Sequence, residues 1–171
     1  MKESCLSVIL QRRSVRRYKD CPVEKEKIEQ LLQAALASPS SKHLNPWEFV
    51  VVEDREALNR MAGCRTYGSQ MLKEAALGIV ICVDAADTDT WQCDGAIAAE
   101  NILLCASSIG LGACWVQVYN REGAEELVRN VCNIPEHLSV LCVISVGYPN
   151  EEKRPINPEH LQYEKIHYGQ Y

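Results

Sequence analysis

The stretch from Asp94 to Ile109, DGAIAAENILLCASSI, constrains this chain more than any other segment. It is long enough for roughly four helical turns. Inside it the only polar side chains are Glu100, Asn101, Ser107 and Ser108. A helix with one wet face carries its apolar residues as a stripe, whereas a helix apolar almost all round has to be enclosed. At mid-chain this predicts the central helix of a domain, or one that a second subunit buries.

The elements around it alternate. Residues 3–12 read as a short helix. Residues 24–37 read as an amphipathic one, with Ile28, Leu31, Leu32 and Ala35 at i, i+3, i+4 and i+7 and Glu24, Lys25, Lys27 and Glu29 elsewhere. EFVVVE at 48–53 reads as a strand. A helix from about Asp54 and a short one near Ser69 lead to a second strand at 78–85. After the central helix come a strand at 113–118, a helix at 121–131 and the strongest strand, 139–146. Pro149, Pro155 and Pro158 then break the chain into an extended tail, 151–171, too short for a core of its own and expected to wrap something. The class is α+β or mixed α/β with roughly four or five strands, in one domain over 1–171.

Charge and cysteine content narrow the function. Lys plus Arg is 18 against 23 for Asp plus Glu, a net charge of −5, which disfavours general nucleic-acid or membrane-surface binding. No apolar run reaches the ~18–20 residues of a membrane span. Leu6–Leu10 is too short for a signal-peptide core, and Glu3 stands where positive charge is wanted. The nine cysteines include no CxxC pair and sit mostly in apolar runs such as GIVICV and VLCVISV. They read as small buried hydrophobes of a reducing cytosol, so the expected place is cytoplasmic. His43, His137, His160 and His167 show no metal-ligand spacing, and GxxxxGK[ST], GxSxG and HExxH are absent.

Three segments could carry chemistry. RRSVRRY, from Arg12 to Tyr18, follows a helix and precedes Pro22, so it reads as extended; alternation then puts Arg12, Ser14 and Arg16 on one face and Arg13 and Arg17 on the other. Two guanidinium forks flanking a hydroxyl suit a phosphate dianion, and the same run also reads as a solvated basic patch. SPSSKHLNPW, Ser38 to Trp47, joins helix to strand and offers hydroxyls, an amide and backbone N–H groups, or is a plain polar connection. Gly110-Leu111-Gly112 follows a helix and precedes a strand, the reverse of a dinucleotide-binding loop. It reads as a helix stop, with Gly110 or Gly112 left-handed, that brings the next strand close to whatever the helix packs on.

In this order and spacing, RRSVRRY, SPSSKHLNPWEF and IGLGACWVQVY resemble the nitroreductase family of flavin enzymes, over Val8 to Pro149. The resemblance implies an α+β three-layer sandwich, with a central, mostly antiparallel sheet flanked by helices, built as an intertwined homodimer with FMN at the interface. It implies that Arg12, Ser14 and Arg16, with Arg13 beside them, hold the phosphate and ribityl chain, and that Pro39, Ser40 and Ser41 reach the flavin of the other subunit. It implies that Gln117 and Val118 present backbone N–H groups near flavin N5 and that the 94–109 helix is the dimer core. Gln70 stands at a position often occupied by lysine near the flavin pyrimidine. From the tail, Lys153, Arg154 or Lys165 would add a phosphate contact, with Arg154 preferred. His43 and Asn45, where the family often has asparagine and glutamine, and Trp91 would lie on the substrate side.

The implied activity is an NAD(P)H-dependent flavin oxidoreductase. NADH or NADPH would deliver hydride to flavin N5, and a nitroaromatic, quinone or similar small-molecule acceptor would take it in a ping-pong cycle, with no acid–base triad required. Dehalogenation, flavin degradation or silent flavin binding on the same fold are the alternatives.

Overall fold

The structure, a computed structural model, describes residues 4–86 and 88–171. The first residue of the expected 3–12 helix therefore lies outside it. Nine regular elements follow the expected order: α1 Cys5–Gln11, α2 Lys25–Leu36, β1 Trp47–Val52, α3 Arg55–Met61, β2 Leu77–Asp84, α4 Trp91–Ser108, β3 Gly112–Gln117, α5 Ala124–Cys132 and β4 Leu138–Gly147. The strands form one sheet in the order β1-β2-β4-β3, every neighbour antiparallel.

Strand alternation builds two cores. In β2, Val80 and Cys82 turn toward α3 and α5, where Leu58, Met61 and Val128 are also buried. Ile79, Ile81 and Val83 turn to the other face, against Leu31 and Ala35 of α2 and Ile102 of α4. A sheet buried on both faces reads as a continuous apolar run rather than as alternation, which is why LGIVICVD and LSVLCVISVG look so uniform. Each fully buried Ile, Val or Leu contributes about 1.5–3 kcal/mol, so the two central strands dominate the stability. A register shift between Ile81 and Cys82 lets Leu141 project toward the α4 side.

Helix α4 begins three residues before the predicted start and is not enclosed all round by its own chain. Ala98, Ala99, Ile102, Leu103 and Ala106 are buried against the sheet and α2. A strip through Cys93, Ile97 and Glu100 stays exposed, with Leu104 half-buried. Helix α1, which packs against α4, exposes Leu6 and Ile9. The tail beyond Glu151 is exposed along its whole length apart from Ile156, and it shows Leu161, Tyr163, Ile166 and Tyr168 to solvent.

Candidate functional site

Helix α1 ends at Arg12, whose N–H closes the last turn on the Val8 carbonyl. The chain then runs extended along the outer edge of β3. Val15 donates its N–H to the Ala113 carbonyl at 3.1 Å, and Ser14 bridges Ala113 in parallel sense. Val15 and Tyr18 are the buried anchors of this segment. The Tyr18 hydroxyl donates to the Val15 carbonyl (2.6 Å) and lies 2.8 Å from Ser145 Oγ, which itself donates to the Cys114 carbonyl. Burial drives the Tyr18 phenol far above its ordinary range. The segment cannot slide without breaking this network.

Gly110 and Gly112 divide the two roles predicted for them. Gly110 is the left-handed helix stop, at φ 78°, and its α-carbon faces open space. Gly112 has no positive φ; a Cβ there would lie 2.7 Å from Val15 Cβ. It is glycine because the arginine segment presses on it.

Arg12, Arg13 and Lys153 surround a cavity of about 240 Å³ that Ser107, Gly110 and Glu151 also line. Arg12 also reaches Glu100 of α4 at 3.6 Å. The Arg13 guanidinium donates to the Arg154 carbonyl. Lys153 pairs with Glu151 at 2.8 Å, and Glu151 accepts the Arg16 N–H at 2.6 Å. Those two bonds hold the Glu151 carboxyl below its usual range. Three cations against two carboxylates, Glu151 and the more distant Glu100, leave the cavity net positive, the condition a phosphate dianion needs.

Arg16 and Arg17 open instead onto a second cavity of about 320 Å³, with Gly68, Gln70, Met71 and Glu74. Arg17 is committed to Glu74. The predicted face of Arg12, Ser14 and Arg16 is therefore split, because Arg12 belongs to the end of a helix and not to the extended run. All three still act on the Cys114 thiol. Burial raises that thiol, while Arg16, a Ser14 hydrogen bond and Arg12 oppose the rise.

The strand edge supplies the remaining donors. Ala113 turns its main chain outward to Val15, so Trp115 and Gln117 face the same edge by alternation. Val118 does not: its N–H goes inward to the Leu141 carbonyl at 3.2 Å. Of the predicted pair, Gln117 is the one whose N–H lies along the open edge.

Several other predicted residues sit differently. Gln70 uses its amide on its own loop, accepting from Gly68 N–H at 2.9 Å and donating to the Arg65 and Thr66 carbonyls at 3.0 Å each. It lines the second cavity as the clasp of that loop. Lys153, not Arg154, is the tail cation at the first cavity, because Ile156 N–H hydrogen bonds the Leu10 carbonyl and fixes the tail's path; Arg154 contributes only its carbonyl. Lys165 lies further out on the exposed tail. Trp91 is buried, packed edge-on against Tyr119 with ring centroids 4.6 Å apart, and lines neither cavity.

Pro39, Ser40, Ser41, His43 and Asn45 line neither cavity of their own chain. Their loop is held in an uncommon shape. Lys42, His43 and Asn45 all have positive φ, 53°, 56° and 48°, and left-handed non-glycine residues cost roughly 1 kcal/mol or more each. The Ser40 hydroxyl donates to Asn45 Oδ1 and accepts the Asn45 N–H, both at 2.9 Å.

The family model described as Nitroreductase family matches residues 9–74 and 65–148. The chain belongs to the nitroreductase family. Its fold superposes on that of an FMN-dependent nitroreductase from Clostridium difficile R20291 with a TM-score of 0.95 and 45% identity, covering 97% of this chain and 99% of that one. It is 31% identical to an NADPH-flavin oxidoreductase of Vibrio harveyi over 97% of this chain and 74% of the relative. It also matches the structure of an NADPH:FMN oxidoreductase from Vibrio harveyi complexed with NAD+, at a TM-score of 0.77 and 27% identity, over 98% of this chain and 77% of that one. The antiparallel sheet between two helical layers is thus the nitroreductase fold. No helix among the described residues is long and apolar enough to cross a membrane.

Proposed function

We propose that this nitroreductase-family protein is an FMN-dependent NAD(P)H oxidoreductase that works as a homodimer and reduces a nitroaromatic, quinone or similar small acceptor by a ping-pong cycle. The observation that carries the reading is the positive cavity of Arg12, Arg13 and Lys153 beside the open edge of β3. A phosphate-bearing flavin needs both features: cations for its tail and N–H donors for its ring.

Bound FMN would supply the hydride chemistry, accepting from NAD(P)H and passing electrons to the acceptor. The chain's own residues would do the rest. Arg12, Arg13 and Lys153 would neutralise the phosphate. Ser14, fixed by the Val15–Ala113 hydrogen bond, would offer its hydroxyl to the same tail. The Gln117 N–H would serve the ring edge. Arg16 would supply positive charge from the second cavity, where Gln70 supplies none. The loop of Pro39, Ser40 and Ser41, remote from its own chain's cavities, would serve the second subunit's flavin, with His43 and Asn45 beside the acceptor. The open strip of α4, exposed Leu6 and Ile9 and the apolar side chains of the tail support a partner subunit over this side. Nine unpaired thiols support a reducing cytosol.

Initial rates measured at several fixed acceptor concentrations test the cycle. Parallel double-reciprocal lines against NADPH or NADH are expected; intersecting lines would mean that donor and acceptor occupy the site together.

A further inference from the structure

Three polar side chains of α4 are set against the segments proposed to hold the flavin. Glu100 meets Arg12. Asn101 donates to Ser38 Oγ at 2.7 Å. Asp94, 3% exposed, accepts the backbone N–H of Ser41 on Oδ1 at 2.9 Å. Asp94 is the one charged residue in the core among the described residues. Burying a carboxylate is costly unless it is hydrogen-bonded, and the first turn of α4 favours its negative charge. Among the described residues its direct polar contacts are the Ser41 N–H and, more distantly, the Thr90 hydroxyl at 3.5 Å.

The loop that Asp94 grips does not hold its shape by packing. Pro39 and Lys42 to Asn45 are exposed, and three of those residues are left-handed. Among the described residues three hydrogen bonds fasten it to the body of the molecule: Ser38 to Asn101 at its start, Ser41 to Asp94 at its turn, and the Asp84 N–H to the Pro46 carbonyl at its end, so Asp94 holds the only one at the turn itself. We propose that Asp94 is a positioning residue for cofactor binding, a buried side-chain acceptor that fixes the Ser40–Ser41 turn in the conformation the second subunit's flavin site requires. The flavin half of this inference rests on the function proposed above; the loop half does not.

The experiment therefore reads the loop and the flavin separately, on the full chain. Lys42 makes the loop cleavable by trypsin. In Asp94→Ala, cleavage after Lys42 is expected at least tenfold faster than in the wild type, with cleavage after Lys165 unchanged, and the FMN dissociation constant at least tenfold higher. Asp94→Asn keeps an oxygen for the Ser41 N–H and is expected within threefold of wild type in both readouts. Amide exchange in the unaltered protein adds a test that needs no variant: Ser41 should exchange at least tenfold more slowly than Lys42.

An alanine variant cut and loaded with FMN like the wild type would overturn the inference. An asparagine variant as loose as the alanine one would overturn it too, as would an unprotected Ser41 amide. Faster cleavage with unchanged FMN affinity would refute the cofactor role. A wild-type protein that refuses FMN, with Ser41 protected, would instead refute the function and with it the flavin half.

Discussion

Adding one methyl group at Gly112 tests how the arginine segment is held. The new Cβ would lie 2.7 Å from Val15 Cβ and Cγ1 and 2.9 Å from Cγ2. Ordinary carbon contacts are about 3.5–4.0 Å, so the segment has to retreat by roughly 0.8 Å or more. The Val15–Ala113 hydrogen bond, 3.1 Å now, would stretch past the ~3.5 Å at which such bonds fail. Overpacking costs about 1–3 kcal/mol and the lost bond about 1 kcal/mol, so Gly112→Ala should lose about 2–4 kcal/mol in urea unfolding. Arg12, Arg13 and Ser14 move with the segment, and FMN affinity, followed by quenching of flavin fluorescence, should fall by about 10–100-fold, or 1.4–2.8 kcal/mol. Gly110→Ala is the control: it meets no atom within 4 Å and should cost only the ~1–2 kcal/mol of a left-handed alanine. A Gly112→Ala protein within 0.5 kcal/mol of wild type and loaded normally with FMN would refute the close-approach argument.

Three further outcomes follow from the same geometry. Lys153→Ala should weaken FMN binding by roughly 10–100-fold, the worth of one charge-assisted phosphate contact; Arg154→Ala, which keeps the carbonyl that Arg13 uses, should change it less than threefold by the same quenching assay. Tyr18→Phe should cost about 1–3 kcal/mol in urea unfolding, since it strips a buried hydroxyl from its bonds to Val15 and Ser145 while the ring still fills its space. Stability should also fall on the alkaline side. Burial pushes the Cys82 thiol up to about 12 and the Cys142 thiol well above its ordinary value. A thiol raised in the folded state stabilises fully below its unfolded value near 8.5 and progressively less above it. Urea unfolding should therefore be flat up to about pH 8 and then lose up to about 1.4 kcal/mol per pH unit for each of these two thiols; an unchanged midpoint at pH 9.5 would contradict their burial.

The strands and α4 were legible because both signals survive in one dimension: uniform apolar runs for a sheet covered on both faces, and an almost unbroken apolar helix. The strip of α4 left open could not be read from the same pattern, because a partner subunit and a chain's own core leave the same apolar signature. The arginine–serine run was legible as an extended segment that carries cations to a cavity, yet alternation failed at Arg12, which is still governed by the end of α1. Lys153 and Arg154 are adjacent, and tertiary contacts distinguish them: Ile156 to Leu10, Arg13 to the Arg154 carbonyl and Lys153 to Glu151. Gln70 shows another limit, since an amide can close its own loop as readily as face a ligand. Val118 turns its N–H inward to Leu141 for a main-chain reason: which N–H groups a strand turns outward depends on its pairing partner, and that partner, β4, lies more than twenty residues away. Asp94 carries no distinguishing signal in the sequence, because a carboxylate at a helix start is ordinary on solvent-exposed helices; its burial and its grip on Ser41 exist only in three dimensions.

The most direct measurement is the visible absorption spectrum of the protein purified untagged, recorded without oxygen before and after adding NADPH or NADH. Bound flavin absorbance that is released as FMN on denaturation, and that bleaches with one of the two nicotinamides, is the predicted result and names the donor. A colourless protein that does not take up added FMN would contradict the flavoenzyme account, and a yellow protein that neither nicotinamide bleaches would leave it a flavin binder without this activity.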